Sequence, residues 1–306
     1  MGKITAICVS EKRGLQKHPI DVATFVVDYG IEGDAHAANW HRQVSLLSRK
    51  DIDDFKARGA ELYDGCFGEN LIIDGIDVSH LPVQARLKIG DVVLEVTQHG
   101  KECHTHCQIF HKMGECIMPV KGTFTKVVKG GVVHKGDKIE MIEKSEKLTA
   151  AVITLSDRCF KGETTDISGP LLKKELEKAG FEIAETILIP DNKELLKAAL
   201  IRLCDQRDVS LVITTGGTGF SPKDITPEVT LEVIEKQAPG ISEAIRAESL
   251  KFTKHAMLSR GVSGIRKQSL IVNLPGSPKA CKESLDVFLE PCKHGLKLLR
   301  GEKVDK

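Results

Sequence analysis

The hydrophobic positions divide the chain into two halves with different periodicities. In residues 1–142 they form short runs of β type, separated by glycine-containing turns such as "GIEGDAH", "IGD" and "KGD". One predicted helix, around "RKDIDDFKARG", interrupts the series. Many short strands with few helices predict a barrel-like β domain. The predicted strands are ITAICV, TFVVD, QVSLLS, NLIID, ARLKI, VVLEV, FTKVV and DKIEMI.

The second half alternates strands with helices. The apolar runs LTAAVITL, FEIAETILI, VSLVIT and SLIVNL are predicted strands, and amphipathic segments separate them. In the first such segment Leu171, Leu172, Leu176 and Ala179 share one helix face, and Gly180 ends the helix. The later helices are predicted at KELLKAALIRLCDQ, at EVTLEVIEK from Pro227, and at KACKESLDVFLEPCKHGLKLL. This alternation predicts an α/β domain with a mostly parallel sheet flanked by helices.

The charged stretch "EKSEK" at 143–147 contains no apolar residue and separates the two halves. We therefore predict a β-barrel domain over residues 1–142, a linker over 143–148 and an α/β domain over 149–306.

Composition narrows the class of partner. The 306 residues carry a formal net charge of +1 and only 4% aromatic residues, which argues against a nucleic-acid surface. The sequence has no run of about 20 apolar residues and no signal-peptide apolar region, so we expect a cytoplasmic protein that does not engage a membrane. In that compartment the nine cysteines are expected to be thiols, ligands or nucleophiles.

Four unusual loops follow the predicted strands of the second half: "SDRCFKGETTDISGP", "PDN", "TGGTGFSPKD" and "NLPGSP". Ligands of parallel α/β folds bind at the carboxyl ends of the strands. Gly216, Gly217 and Gly219 permit positive φ and close approach of a ligand, and their N–H groups suit an anion. The alternative is a glycine-rich turn in which Asp224 or Thr226 caps the next helix.

Three separated motifs in this half resemble the molybdopterin adenylyltransferase family. They are T-T-G-G-T-G-x(4)-D-x-T-P-E, the upstream "SDR…SGP" and the downstream "NLPGSP", and the resemblance covers residues ~149 to 297. It implies a homotrimeric, molybdopterin-binding enzyme that uses Mg-ATP to adenylylate molybdopterin during molybdenum or tungsten cofactor synthesis. The same fold also serves as a binding module in molybdenum insertases and in competence-damage-type nucleotide hydrolases, so fold alone does not fix the reaction.

The resemblance assigns roles to individual residues. Asp191 and Asp224 match its two acidic positions and would act as catalytic residues on the magnesium of ATP. Because two phosphate groups repel each other, charge neutralisation and positioning are the main requirements of the reaction. Lys223 and Arg158 would steady an anionic ligand, or they are simply solvated. The positions matched to substrate binding are Ser156, Asp157, Asp166, Ser168, Gly169, Thr215, Gly216, Gly217, Thr218, Gly219, Ser277 and Pro278.

Residues 97–119, "TQHGKECHTHCQIFHKMGECIMP", are rich in thiols and imidazoles. Three interpretations are open: a zinc site, buried structural thiols with exposed histidines, or a reactive thiol activated by histidines or Lys101. The residues concerned are Cys103, Cys107, Cys116, His99, His104, His106 and His111.

The first half resembles the MOSC domain, a β-barrel, over residues ~4 to 142, through "GIEGDAHAANWHRQVSLLS", "GCFGENLIIDGID" and "LKIGDVVLEVTQHGKEC". The characteristic cysteine of that family falls at Cys103 and is proposed to carry sulfur as a persulfide or to take part in pterin-dependent chemistry. Cys107 and Cys116 depart from the one-cysteine pattern. His36 and His41 would line the same pocket, or they are surface histidines.

Together these features predict a two-domain protein of molybdopterin cofactor synthesis. The second domain would adenylylate molybdopterin, and the first would bind or modify the cofactor, with a molybdenum insertase or a sulfur-donor enzyme as partner. Two alternatives stay open: a non-catalytic molybdopterin carrier or scaffold, and a nucleotide pyrophosphatase on the same fold. The sequence does not distinguish a molybdenum from a tungsten pathway.

Overall fold

The structure is a computed structural model that describes residues 1–59, 61–101, 110, 115–145 and 147–301. The chain divides into two compact units, Met1–Ser145 and Glu146–Lys306. The last strand of the first unit runs to Lys144 and so includes the first residues of the predicted linker.

The first unit contains eleven strands in the described residues. The strands are β1 (Gly2–Val9), β2 (His18–Ile20), β3 (Val22–Val26), β4 (Gly30–Ile31), β5 (Val44–Ser48), β6 (Leu71–Asp74), β7 (Ala85–Ile89), β8 (Val92–His99), β9 (Thr123–Lys129), β10 (Gly131–His134) and β11 (Lys138–Lys144). Seven of them close into a barrel in the order β11-β7-β8-β9-β5-β6-β1, and pairing of β1 with β11 closes the ring. All neighbours in the barrel are antiparallel except β5 and β6. Strand β2 pairs with β1 in antiparallel orientation, while β10, β3 and β4 form a separate three-stranded sheet.

The barrel strands β1, β5 and β6 are covered on both faces. Leu46 of β5 belongs to the barrel core, whereas Leu47 packs in a second cluster with Ile52 and Phe55 of helix α1 (Arg49–Lys56). This arrangement explains why all five residues of "VSLLS", including Ser45 and Ser48, are buried without alternation, since the strand has no face toward solvent. A short helix, α2 (Met118–Lys121), adds Met118 to the second cluster.

The second unit alternates strands and helices. Its elements are β12 (Thr149–Leu155), α3 (Asp157–Phe160), α4 (Ser168–Lys178), β13 (Glu182–Ile189), α5 (Lys193–Asp205), β14 (Leu211–Thr215), α6 (Thr226–Val233), β15 (Lys236–Gln237), α7 (Pro239–Ser249), β16 (Ser263–Arg266), β17 (Ser269–Leu274) and α8 (Pro278–Leu299). The strands form a six-stranded sheet in the order β13-β12-β14-β17-β16-β15. The first four strands are parallel, and the last two are antiparallel to their neighbours. Helices α4, α7 and α8 pack on one face of the sheet, and α5 and α6 pack on the other.

The predicted fold class, a barrel and a mostly parallel α/β sheet, is confirmed. Because β12, β13, β14 and β17 run parallel, their following loops meet at one carboxyl edge of the sheet. The prediction missed α7 and the β15–β16 pair, where "GISEAIRAES" buries only Ser242 and Ile245 and gives a weak apolar period. None of the helices in the described ranges combines the length and apolar composition that crossing a membrane requires.

Candidate functional site

The glycine loop begins where β14 ends. Gly216 has φ +98° and Gly217 has φ +65°, so both occupy the left-handed region that the sequence predicts for this loop. Gly219, the third glycine of that prediction, does not have a positive φ. A Cβ built on Gly217 would lie 2.5 Å from Oγ1 of Thr226, and one on Gly216 would meet the carbonyl oxygen of Leu155. Only glycine satisfies both the dihedral angles and the packing at these two positions.

Thr226 fastens this loop to the start of helix α6. Its Oγ1 donates to the Gly216 carbonyl at 2.9 Å, and its N–H donates to the Gly217 carbonyl at 3.1 Å. The N-cap position is Ile225, and no side chain caps the helix. Asp224 and Thr226 therefore do not serve as N-caps. The Asp224 carboxylate instead accepts the N–H of Ser221 at 3.2 Å.

A pocket of about 460 Å³ opens beside the loop. Of the predicted site residues, those in its wall are Gly216, Gly217, Thr218, Gly219, Asp224 and Ser277. Two segments that the sequence did not single out also line the pocket: Ile245, Arg246 and Ser249 of α7, and Thr253, His255, Ala256, Leu258 and Ser259 after it. The rest of the wall comes from the "NLPGSP" loop and the helix after it: Pro275, Gly276, Ala280 and Glu283. A weak helix pattern at α7 is the one clue that sequence reasoning could have followed.

Two predicted residues, Thr215 and Ser168, hold the "NLPGSP" loop in place through hydrogen bonds to its carbonyl groups. Thr215 Oγ1 donates to the Pro275 carbonyl at 2.7 Å, and Ser168 Oγ donates to the Gly276 carbonyl at 2.8 Å. Ser277 then caps α8, because its Oγ accepts the N–H of Ala280 at 3.2 Å. Pro278 occupies the first turn of that helix.

The first loop is also held by local bonds. The Asp166 carboxylate accepts the N–H of Gly169 at 2.9 Å, and a Cβ on Gly169 would lie 2.6 Å from Oγ1 of Thr154. Ser156 caps the short helix α3 through a 3.2 Å bond from the N–H of Cys159. In this structure these three predicted residues shape the loop and do not line the pocket.

Asp157 and Asp191 join the first two loops. The N–H of Asp157 donates to Asp191 Oδ2 at 3.2 Å, and the N–H of Asp191 donates to Asp157 Oδ1 at 3.1 Å. Lys223 Nζ donates to Asp157 Oδ2 at 2.7 Å. Arg158, which lies in α3, is exposed.

These contacts shift the pKa values of Asp191, Asp157 and Lys223. Burial raises the pKa of Asp191, and the carboxylates of Asp157 and Asp224 raise it further. The ammonium of Lys223 lowers the pKa of Asp157, and the same pair raises the pKa of Lys223. A cation bound beside Asp191 would offset the repulsion from the carboxylates of Asp157 and Asp224 and so favour its ionised form.

Nowhere in the described ranges do three His, Cys, Asp or Glu side chains lie close enough together to hold a metal ion. Magnesium needs fewer protein ligands, because it is usually bound by one or two carboxylates with substrate phosphates and water. The carboxylates of Asp191 and Asp224 both border the glycine loop: a Cβ on Gly217 would lie 3.7 Å from Asp191 Oδ1, and one on Gly219 would lie 2.9 Å from Asp224 Oδ2. Two carboxylates beside an anion-binding loop fit that mode of binding.

In the first unit the "GDAH" and "GENL" motifs meet at Asp34. Its buried carboxylate pairs with Lys17 and accepts Asn70 Nδ2 at 3.1 Å, the N–H of Ser10 at 3.2 Å and the N–H of His36 at 2.8 Å. Burial alone would raise the pKa of Asp34, but hydrogen bonds from His36 and Lys17 outweigh it and hold the pKa below its usual range.

Glu69 of the same motif is fully buried and accepts the N–H groups of Gly65 at 2.7 Å and Phe67 at 3.0 Å. Burial raises its pKa to about 7. Both motif carboxylates therefore organise backbone around this part of the barrel.

One of the predicted histidines, His36, contacts this network, and His41 and His99 have other partners. His36 Nδ1 is 3.5 Å from Lys17 Nζ, and His41 Nε2 is 2.9 Å from Gln98 Oε1. His99 Nε2 is 2.6 Å from the Leu81 carbonyl, and Cys116 is half-buried. Cys103, Cys107, His104, His106 and His111 lie outside the described residues, so the three interpretations of this segment stay predictions.

Known proteins resemble the chain in both units. A family model described as a probable molybdopterin binding domain matches residues 151–294, and a MOSC domain model matches residues 33–140. Molybdopterin adenylyltransferase of Helicobacter pylori is 40% identical over 152 residues, which are 49% of this chain and 86% of that protein.

Two further proteins resemble the second half of the chain. Molybdenum cofactor synthesis protein cinnamon of Drosophila melanogaster is 39% identical over 156 residues, 50% of this chain, and the chain spans only 26% of that longer protein. The crystal structure of the molybdopterin biosynthesis enzyme MoaB from Thermus thermophilus has 39% identity and a TM-score of 0.49, covering 52% of this chain and 99% of its own. Because the chain covers 86% of an adenylyltransferase to which it is 40% identical, it belongs to the molybdopterin adenylyltransferase family, an enzyme family of molybdenum cofactor biosynthesis, and it carries a MOSC domain in addition.

Proposed function

We propose that the second unit transfers the adenylyl group of Mg-ATP to molybdopterin. The observation that carries this proposal is the pocket of about 460 Å³, whose wall combines the left-handed glycine loop, the carboxylate of Asp224 and the N-cap of α8. The N–H groups of Gly217 and Gly219 and the start of α8 offer donors to an anionic group such as the terminal phosphate of the pterin, whereas the N–H of Gly216 already donates to the Leu274 carbonyl at 3.3 Å.

The chemistry requires that this phosphate attack the α-phosphorus of ATP, so that a new P–O bond forms and pyrophosphate leaves with the electron pair of the broken bond. Two phosphate groups approach each other, and bound Mg²⁺ would neutralise part of their charge. Asp191 and Asp224 are the residues that would hold the ion, through one or two direct bonds and water. The Gly217 and Thr226 contacts keep the loop rigid, so that the phosphate binds at a defined position.

The decisive experiment uses the full chain with molybdopterin and Mg-ATP. We expect pyrophosphate release that depends on molybdopterin, together with an adenylylated pterin of matching amount. ATP consumption without pterin would instead identify a nucleotide pyrophosphatase. Tight pterin binding without ATP consumption would identify a carrier.

Asp224→Asn separates the metal role from the binding role. We expect pterin binding to persist and adenylyl transfer to fall by orders of magnitude, because metal-assisted charge stabilisation contributes several kcal/mol. Calorimetric titration with pterin and an assay of pyrophosphate release measure the two effects. Reduced pterin affinity with unchanged turnover at saturation would reassign Asp224 to binding.

We further propose that the first unit binds or modifies the cofactor, with Cys103 as a sulfur carrier. Cys103 should then alkylate faster at neutral pH than Cys281 and Cys292, which are buried and whose pKa values burial raises, that of Cys292 to about 12. Equal slow labelling of all three would contradict the carrier role. Stoichiometric zinc that is lost in Cys103→Ser would favour the metal interpretation.

The assembly and setting of the protein are also proposals. We expect a cytoplasmic homotrimer that works with a molybdenum insertase or a sulfur-donor enzyme. Light scattering of the purified chain tests the trimer, and a monomer at micromolar concentration would contradict it.

A further inference from the structure

Arg260 contacts the glycine loop at three points and helix α6 at a fourth. Its backbone N–H donates to the Thr218 carbonyl at 2.9 Å, and its Nε donates to the Gly219 carbonyl at 2.6 Å. Its Nη2 donates to the Asp224 carbonyl at 2.8 Å, and its Nη1 forms an ion pair with Glu228. No sequence motif marks this residue.

The Arg260 side chain binds the carbonyls of Gly219 and Asp224, which flank an exposed turn. Residues 220–223 between them are exposed, and Phe220 has 69% of its surface accessible. Within this turn the Asp224 N–H donates to the Ser221 carbonyl at 2.9 Å. That bond is local, so it does not hold Gly219 or Asp224 in place relative to the rest of the unit. Arg260 joins both ends to the segment that precedes β16.

The guanidinium binds the main-chain carbonyl of Asp224 and not its carboxylate. An arginine on the carboxylate would neutralise the charge that a magnesium ion needs. Here Glu228 pairs with the arginine instead. The Asp224 carboxylate lies beside Gly219 and accepts the N–H of Ser221, and Asp224 lines the pocket. A lysine cannot reproduce this contact, because only the planar fork of arginine reaches three acceptors in fixed directions.

We propose that Arg260 is the positioning residue for Asp224, setting where its carboxylate stands for the magnesium of the ATP complex. This inference rests on the adenylyl transfer proposed above. Arg260 touches neither substrate nor metal in this role and acts through the loop backbone.

The test compares full-length wild type with Arg260→Lys. Loss of a residue that orients a metal ligand typically costs about 10–100-fold in metal affinity or activity, so the half-saturating Mg²⁺ concentration should rise by that factor. The KM for molybdopterin should change much less, because the glycine contacts remain. Mn²⁺ binding in the presence of ATP, followed by electron paramagnetic resonance, is measured in parallel and should weaken likewise.

Arg266→Lys is the matched control. Arg266 also combines a carboxylate, Asp205 at 2.6 Å, with a backbone carbonyl, that of Val233 at 2.9 Å, but it lies outside the pocket wall. We expect it to lower the Tm without changing the Mg²⁺ dependence. An equal shift in Mg²⁺ dependence in both variants would mean general loosening of the unit and would overturn the proposal.

Glu228→Gln is the second variant, and it leaves both carbonyl contacts of Arg260 in place. Its Mg²⁺ dependence should stay within about fivefold of wild type, because an exposed ion pair contributes little. A loss as large as that of Arg260→Lys would refute the role of the carbonyl contacts. If the wild type transfers no adenylyl group, the proposed reaction fails, while unchanged Mn²⁺ binding in Arg260→Lys would refute this inference separately.

Discussion

Gly217→Val tests whether the glycine loop needs its left-handed backbone. Gly217 has φ +65°, a conformation that costs an ordinary residue about 1–2 kcal/mol and a β-branched residue more. The new Cβ would lie 2.5 Å from Oγ1 of Thr226 and would displace it. Thr226 is fully buried, so losing its 2.9 Å bond to the Gly216 carbonyl leaves buried polar groups without a hydrogen bond. This loss costs about 1–3 kcal/mol of stability.

The two contributions sum to about 2–5 kcal/mol of lost stability in the second unit. For a unit of this size each kcal/mol lowers the Tm by about 2–4 °C, which gives a shift of about 4–20 °C. Differential scanning calorimetry of the full chain measures it, and pterin titration at a temperature where the variant is folded should show weakened binding.

Gly162→Val is the matched control, because Gly162 has φ +73° but no atom within 4 Å of an added Cβ. This variant has the backbone strain without the steric clash. We therefore expect the free energy of unfolding of the second unit to fall by about 1–2 kcal/mol and the pterin affinity to stay unchanged. If Gly217→Val shifted the Tm no more than Gly162→Val, the packing against Thr226 would contribute nothing and the reasoning would be refuted.

The remaining predictions concern pH dependence and separability. The raised pKa of Asp191 means that its contribution to stability is present below its unfolded pKa of about 3.9 and is lost as pH rises through the folded value. Asp191→Asn should therefore raise the Tm at pH 7 and abolish turnover, with the gain in Tm vanishing near pH 3; a lower Tm at pH 7 would contradict this. The same sign applies to Glu69, so the first unit should lose stability as pH rises from about 4.5 through 7, and Glu69→Gln should flatten that slope in thermal melts. A fragment that begins at Lys147 should fold and retain adenylyl transfer, since the chain divides between Ser145 and Glu146. An insoluble or inactive fragment would show that the units share a core or a site.

The sequence was informative where local chemistry decides the structure. The apolar runs predicted the barrel and the parallel sheet, and the glycines predicted positive φ at Gly216 and Gly217. Parallel order then requires the four loops to meet, because the carboxyl ends of neighbouring strands lie at one edge.

The sequence was uninformative where distant segments supply the contacts. Arg246 and His255 reach the pocket from α7 and the turn after it, and Arg260 reaches the loop from farther along the chain. None of these lies in a motif quoted above. Arg246 is placed by the packing of α7 against α8, through Ile245, and not by local spacing. In the first unit the sequence did not single out Lys17, yet Lys17 is buried against Asp34.

The motif residues of the second unit divide into two groups with different physical roles. Gly217, Asp224 and Ser277 stand in the pocket wall, whereas Ser168 and Thr215 hold the carbonyls of the loop behind it. Both groups belong to the same motifs, since moving the residues that hold the loop changes the shape of the pocket as much as changing a residue that lines it. The two should nevertheless separate in experiment: changing a support alters the position of the loop and every contact it makes, whereas changing Asp224 removes one charge and leaves the loop in place.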